Sequence, residues 1–368
     1  VQGVSFAGVA TMVAIVTTGG GLPAVYGAVI VASLIGFFLA PYFSKIIRFF
    51  LPVVTGSVIT IIGLSLLPVA IRWMMGGNKT APNWGSVENI SLALLTLAIV
   101  IGLNMLQSPT MRRLSILVSI ILGTCIAYIL GFGDFSHITN GAWIQAPSVF
   151  AFGLPVFEFT AILSMLIVTL VIMTETTADI IAVGEIVGTK VDAERIAAGL
   201  RADMLSSAAA PILGSFMQSA FAQNVGLVAI TGIKSRFVVA AGGGILVILG
   251  LLPIMGRLIA AIPFPVLGGA GLVLFGTVAA SGIRTLAKVD YNEQKNLIIV
   301  ATSIAAGMIP IIDYSFFINF PKWVQTLFHS GISSTCIMAI LLNLLFNHLP
   351  SSKRKSVTKN KILQEAHH

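Results

Sequence analysis

Charge is what this chain has least of. Only 9% of its 368 residues are charged, 13 of them acidic, whereas 57% are hydrophobic and the mean hydropathy is +1.00. Soluble domains carry roughly a quarter charged residues, so a soluble enzyme or binding module is excluded. Cysteine is nearly missing as well. Cys125 and Cys336 stand alone in separate apolar runs, which rules against a disulfide framework and leaves them as small buried hydrophobes. His137, His329 and His348 lie in loops or at the ends of apolar runs, with His367 and His368 in the tail. No His/Cys/carboxylate spacing of a metal site appears. There is no Gly-Lys-Ser/Thr loop to support ATP-driven pumping, and no nucleophile–base pairing of the kind an intramembrane enzyme needs. No cofactor is implied. The chain also lacks an initiator Met, a basic n-region and a cleavable signal pattern, and it reads as beginning inside a structural unit.

What is present is apolar sequence in lengths that fit a bilayer. Long runs occur near Leu22–Leu39, Leu51–Met74, Val87–Leu106, Leu114–Leu130, Ala161–Val187, Ile196–Phe216, Phe237–Leu252, Val266–Ala280, Leu297–Ile312 and Ile332–Phe346. About 20 apolar residues in a helix cross a hydrocarbon layer of roughly 30 Å. The chain is therefore expected to be a polytopic helical membrane protein. Two shorter segments, Val4–Val16 and Phe221–Ile233, are rich in Gly, Ser, Thr or amides. They suit half-helices joined to a short extended piece, as in discontinuous transporter spans.

Loop charge tests this arrangement. If every segment crosses, the short ones included, and the tail is cytoplasmic, all but four of the 21 basic residues fall inside. The exceptions are Arg72, Lys79, Arg257 and Lys322. The net charge of +8 then reports membrane orientation, not nucleic-acid binding. If Phe221–Ile233 did not cross, every loop before it would change sides and the bias would collapse. The same parity sends the two short segments in opposite directions, the mark of an inverted-topology repeat whose interface holds the substrate. The first repeat is short by two spans. Elsewhere, Gly131–Pro155 is a long outer loop without Lys or Arg, Asp313–His329 is an aromatic-rich outer interface, and residues 351–368 form a polar, basic tail.

Polar groups within the apolar spans are few. Gln223-Asn224-Val225-Gly226 runs on to Thr231-Gly232, and an amide pair offers both donors and acceptors to a flat polar heterocycle. Glu175 and Asp179 are four residues apart on one helix face, among Thr174, Thr176 and Thr177. Carboxylates in a span are expensive unless paired, hydrated or protonated, and they mark substrate or ion paths; a structural hydrogen-bonded pair is the plain alternative. Asp203 follows the helix cap expected at Asp192 by roughly 15 Å of rise. It is read as a titrating group for coupling or gating, against an ion pair with Arg201 or a hydrogen bond to a backbone break. Glu158 reads as a solvated boundary residue, and Gly242-Gly243-Gly244 as close helix packing.

The pattern Gln223-Asn224-x-Gly226-x-x-x-x-Thr231 resembles the signature of the nucleobase–ascorbate transporters, also called nucleobase–cation symporter family 2. Glu175-Thr176-Thr177-Ala178-Asp179 is similar to that family's Glu-x-x-Gly-Asp pattern, with Ala178 in place of the glycine. Asp203 matches the acidic residue of the next span, and Val4-Ser5-Phe6 resembles the strand and half-helix of the third span. The resemblance covers the whole chain from that third span onward. It implies an all-α fold of two inverted seven-segment repeats, with two short strands in discontinuous spans. A core domain would comprise 1–42 and 156–255, and a gate domain 43–155 and 256–350.

Family roles carried over residue by residue put Glu175 and Gln223 on the base as hydrogen-bonding groups and Phe6 against its ring. Asn224, Thr231 and Gly226 would shape affinity and selectivity. Asp203 and Asp179 would serve coupling, to protons or sodium. Backbone groups at Ser5 and Ala222, left unpaired by extended chain, would also reach the substrate. The resemblance further implies a homodimer in the lipid bilayer of a bacterial inner membrane. Within this family, Gln at 223 favours xanthine or uric acid over uracil, because an amide donates where a carboxylate only accepts. Ala178 and Gly232, the latter replacing an Arg of some members, bear on local packing and selectivity. The expected function is proton-coupled purine uptake. Its rivals are a uracil permease of the same family and an anion exchanger or channel of the same architecture.

Overall fold

A computed structural model of the chain describes residues 2–43, 52–106, 108–132, 136, 138, 141–221, 224, 228 and 232–348. The described residues are mostly helical. Seven described helices are long and apolar enough to cross a membrane, and a bent pair at 79° adds an eighth if counted as one span.

The chain opens with a short strand, β1 (Gln2–Val4), followed by α1 (Phe6–Ile15) and, after a π-helical turn, α2 (Gly21–Leu39). The helices α3 (Pro52–Met74), α4 (Val87–Met105) and α5 (Pro109–Ile129) follow. Next come the 29-residue α6 (Phe159–Val187) and α7 (Ala193–Ala209), and then β2 (Gln218–Ala220). The rest is α8 (Arg236–Gly250), α9 (Pro253–Ala260), α10 (Phe264–Leu286), α11 (Gln294–Ile312), α12 (Lys322–Phe328) and α13 (Gly331–Asn343).

Four of the expected elements move. The run Ile196–Phe216 is not one helix, because α7 ends at Ala209 and the chain tightens into a 3₁₀ turn at Ala210–Leu213. Pro211 cannot donate to the helix ladder, and Gly214 takes a left-handed conformation (φ 74°) that reverses the chain. The extended piece of the second short segment then lies before Phe221, at Gln218–Ala220. Similarly, β1 precedes most of the segment expected at Val4–Val16. The helix expected at Val266–Ala280 continues to Leu286, carrying Arg284 and Thr285 in its last turns.

Packing follows small residues. The helices α2, α6 and α7 lie together, while α3 runs along α10, which also meets α4; α11 and α13 pack on each other and on α3. At Gly63 the backbone of α10 comes so close that a Cβ would lie 2.2 Å from the Ala279 nitrogen, so any side chain there forces α3 away from α10. The core is aliphatic, with Ile15, Ile61, Ile62, Met165, Ile172 and Met204 buried. Asp192 caps α7 as expected, accepting from the Arg195 N–H at 2.9 Å. At the far end of α11, Asp313 accepts from the Ser315 hydroxyl and N–H, which holds its carboxyl below the usual range.

Other expectations fail locally. Gly242, Gly243 and Gly244 meet nothing within 4 Å; α8 lies against α9 and does not use them for packing among the described residues. Both cysteines are free, but Cys125 is exposed on α5 and only Cys336 is buried. His137 and the tail lie outside the described residues.

Candidate functional site

The two strands meet although more than 200 residues separate them. They pair antiparallel, with Gln2 opposite Ala220, Gly3 opposite Ser219 and Val4 opposite Gln218. Each strand begins with a glutamine. Backbone groups in a membrane interior must be satisfied inside the protein, and this small ribbon does so for two breaks at once. Ser207 of α7 completes the outer edge of β2, its hydroxyl taking the Gln218 N–H at 2.9 Å and lying 3.1 Å from the Gln218 carbonyl.

Where the strands end, a cavity of about 440 Å³ opens, within the range of roughly 300–1,000 Å³ typical of small-molecule sites. One wall comes from the ends of the strands and from α1, with Ser5, Phe6, Ser219 and Phe221. On α6, Glu175 and Asp179 contribute carboxylates beside Ala178, and α10 closes the far side with Thr277, Ser281, Arg284 and Thr285. Phe6 lies between two other rings, 6.2 Å from Phe221 and 5.8 Å from Phe275 by centroid. Gly3 permits this arrangement, since a Cβ at that position would fall 2.3 Å from the Phe221 ring edge. The cavity thus joins apolar ring faces to a carboxylate, Glu175, that has no hydrogen-bond partner among the described residues. A planar molecule with ring N–H groups suits such walls.

Four of the sequence candidates, Ser5, Phe6, Glu175 and Asp179, therefore converge on one cavity. Ala178, where the resembled pattern has glycine, lines that cavity beside Glu175. The backbone of Ser5 departs from expectation. Its N–H is bonded to the Met217 carbonyl at 2.8 Å, because the chain there continues the strand pairing, and what remains unpartnered is the buried Ser5 hydroxyl. Asn224 sits one turn past Phe221, its N–H on the Phe221 carbonyl at 2.9 Å. Gln223, Ala222, Gly226 and Thr231 lie outside the described residues.

Asp203 stands apart from the cavity. It is fully buried behind β1, where Oδ1 accepts from Gln2 Nε2 at 2.7 Å and Oδ2 from the Thr176 hydroxyl at 2.8 Å. The ion pair with Arg201 does not form, for the Arg201 guanidinium lies over the Phe37 ring at 5.7 Å. Glu175, Asp179 and Asp203 are within electrostatic reach of one another.

Several residues escaped the sequence reading. Gln2, Ser206, Ser207 and Gln218 do their work across the ribbon, and no spacing in sequence relates them. The stripe Thr277, Ser281 and Thr285 was legible in principle: hydroxyls four residues apart, beside Arg284, mark one polar face of an apolar helix.

Comparison with known proteins agrees with this geometry. A family model described as the permease family matches residues 1–314. The uric acid permease PucJ of Bacillus subtilis is 39% identical over 349 residues, covering 94% of this chain and 78% of that protein. The uric acid transporter UacT of Escherichia coli is 37% identical over 349 residues, 94% of this chain and 72% of that protein. The xanthine permease of Bacillus subtilis is 36% identical over 354 residues, 96% of this chain and 80% of that protein. Among solved structures, the transmembrane domain of a cyanobacterium bicarbonate transporter, BicA, superposes with a TM-score of 0.59 at 16% identity, over 93% of this chain and 83% of that one. That likeness establishes the fold: a multi-pass helical membrane protein with two short strands in broken spans. With the family model and these permeases covering nearly its whole length, the chain belongs to the nucleobase–ascorbate transporter family, whose members are permeases and not enzymes.

Proposed function

We propose that the protein carries a purine base, xanthine or uric acid, into the cell by proton symport across the inner membrane. The observation that carries this reading is the meeting of Phe6, Phe221 and Glu175 in one cavity. The names of its relatives, uric acid and xanthine permeases, support the substrate class.

In this reading the base lies against Phe6, and Glu175 accepts a hydrogen bond from a ring N–H. Gln223 supplies an amide to the base, with Asn224, Gly226 and Thr231 shaping the pocket around it and Ser5 and Ala222 flanking it. A carboxylate aimed at an N–H and an amide that donates to a carbonyl together favour the oxidised purines, which present both groups. Asp203 and Asp179 serve coupling. Residues 1–42 and 156–255 act as a core carrying the site, and 43–155 with 256–350 as the gate it moves against. The packing of α2 on α6 and α7, and of α3 on α10, supports that division. A homodimer joined through the gate, with a cytoplasmic C-terminus, completes the proposal.

Uptake of radiolabelled xanthine and uric acid, with and without an imposed proton gradient, tests it in cells lacking their own purine permeases. The expected result is gradient-dependent accumulation of at least one of them, suppressed by unlabelled purine and not by uracil. Glu175→Gln and Gln223→Glu should each impair uptake while leaving membrane insertion intact. Accumulation of neither purine would overturn the substrate assignment, and undiminished uptake by both variants would overturn the site.

A further inference from the structure

The carboxylate of Asp203 sits in a closed circuit of neutral side chains. Gln2 reaches it from β1 through Nε2, and the Gln2 Oε1 lies 2.8 Å from the Ser206 hydroxyl. That hydroxyl has a second acceptor in reach, the Asp203 carbonyl, also at 2.8 Å. Thr176 of α6 meets the other carboxylate oxygen. Among the described side chains, the charged groups facing Asp203 are Glu175 and Asp179, both on α6. The other elements packed on α7, namely α2, β2 and the 3₁₀ turns Ala40–Tyr42 and Ala210–Leu213, carry no charged residue. Arg201, on α7 itself, is turned away over Phe37.

We infer that Gln2 is a positioning residue whose amide inverts with the protonation of Asp203, so that strand β1 stays tied to α7 in both charge states. This rests on the reading of Asp203 as a coupling group. In the ionised state, Nε2–H donates to Oδ1 and the Ser206 hydroxyl donates to Oε1. Placing a proton on Oδ1 would set two donors face to face. Rotating the amide by half a turn removes the conflict: Oδ1–H donates to Oε1, Nε2–H donates to the Ser206 oxygen, and the Ser206 hydrogen turns to the Asp203 carbonyl. Asp203 Oδ1, the Gln2 carbonyl oxygen and the Ser206 hydroxyl each keep a partner in both states. A proton can then load and unload behind the ribbon without orphaning a polar group, while the strand that leads into Ser5 and Phe6 keeps its anchor.

Gln2→Met keeps the length and removes both halves of the amide. The ionised carboxylate then loses a charge-assisted bond and the protonated one only a neutral bond. The midpoint of the uptake–pH profile should move toward alkaline by about one unit, with the purine KM at the optimum little changed. Gln2→Glu is the second variant; two carboxyls at this distance share a proton, so its profile should move further the same way. Both are measured in the full-length protein in proteoliposomes, with radiolabelled uric acid and xanthine as probes. Unshifted profiles in both variants, beside a pH-dependent wild type, would overturn the role of Gln2 alone. Purine uptake by the wild type with no pH dependence would overturn the coupling role of Asp203 and this inference together.

Discussion

Thr11 and Ser330 share a hydrogen bond of 2.7 Å, both side chains fully buried where α1 packs on α13. Nearby, the Thr17 hydroxyl meets the Tyr314 hydroxyl. The helix that carries Phe6 into the cavity is therefore fastened at Thr11 to the start of α13, and the turn that follows it is fastened at Thr17 to Tyr314. Thr11→Val and Ser330→Ala should each lower stability, and a double-mutant cycle should return a coupling of roughly 0.5–2 kcal/mol. Unfolding in mixed detergent micelles measures it; strictly additive effects would mean the bond contributes nothing.

Gly3→Ala should damage the cavity and spare the fold. The new methyl would meet the Phe221 ring and displace it, so substrate KM should rise on the order of tenfold, about 1.4 kcal/mol of lost contact. Replacing Phe221 with Leu in the same protein should restore part of that loss by making room. Transport kinetics of the single and double variants decide the matter, and an unchanged KM in Gly3→Ala would disprove the close approach.

Ser207→Ala removes the hydroxyl that completes β2, leaving the Gln218 N–H without that partner. An unsatisfied buried donor costs about 1–3 kcal/mol. The variant should melt lower in detergent, with Ser207→Thr close to wild type if its hydroxyl adopts the same position. Equal melting temperatures for all three proteins would show that water replaces the hydroxyl.

Gly63→Leu should separate α3 from α10, with a loss of about 1–3 kcal/mol or more from overpacking, and Gly63→Ala should fall between it and the wild type. Size-exclusion profiles after heating report this directly. A Gly63→Leu protein as heat-resistant as the wild type would contradict the backbone contact at Ala279.

What was legible in the sequence follows from which forces are periodic. Apolar runs fixed most spans, because crossing a bilayer demands length and hydrophobicity along consecutive residues. Their ends were less readable: α10 runs past Ala280 to Leu286 since its last turns line a cavity and carry Thr285 and Arg284, polar residues that ended the apolar pattern. Glu175 and Asp179 announced themselves as carboxylates in a span. Gln2 did not, since its meaning depends on Asp203, 201 residues away, and no local pattern encodes that meeting. The strand at Gln218–Ala220 was hidden for a similar reason. Three residues of extended chain become a strand only when a partner exists elsewhere, and apolar periodicity cannot name the partner.

The ribbon has a consequence for how the protein is made. β1 is made first of the two strands, and its partner leaves the ribosome only after some 200 further residues and several complete helices. Contacts this distant in sequence form slowly, and an unpaired strand is unwelcome in hydrocarbon. β1 therefore has no strand to pair with until β2 arrives. A nascent chain halted before Ala220 would hold several finished membrane helices but lack the Phe221 and α10 walls of the cavity.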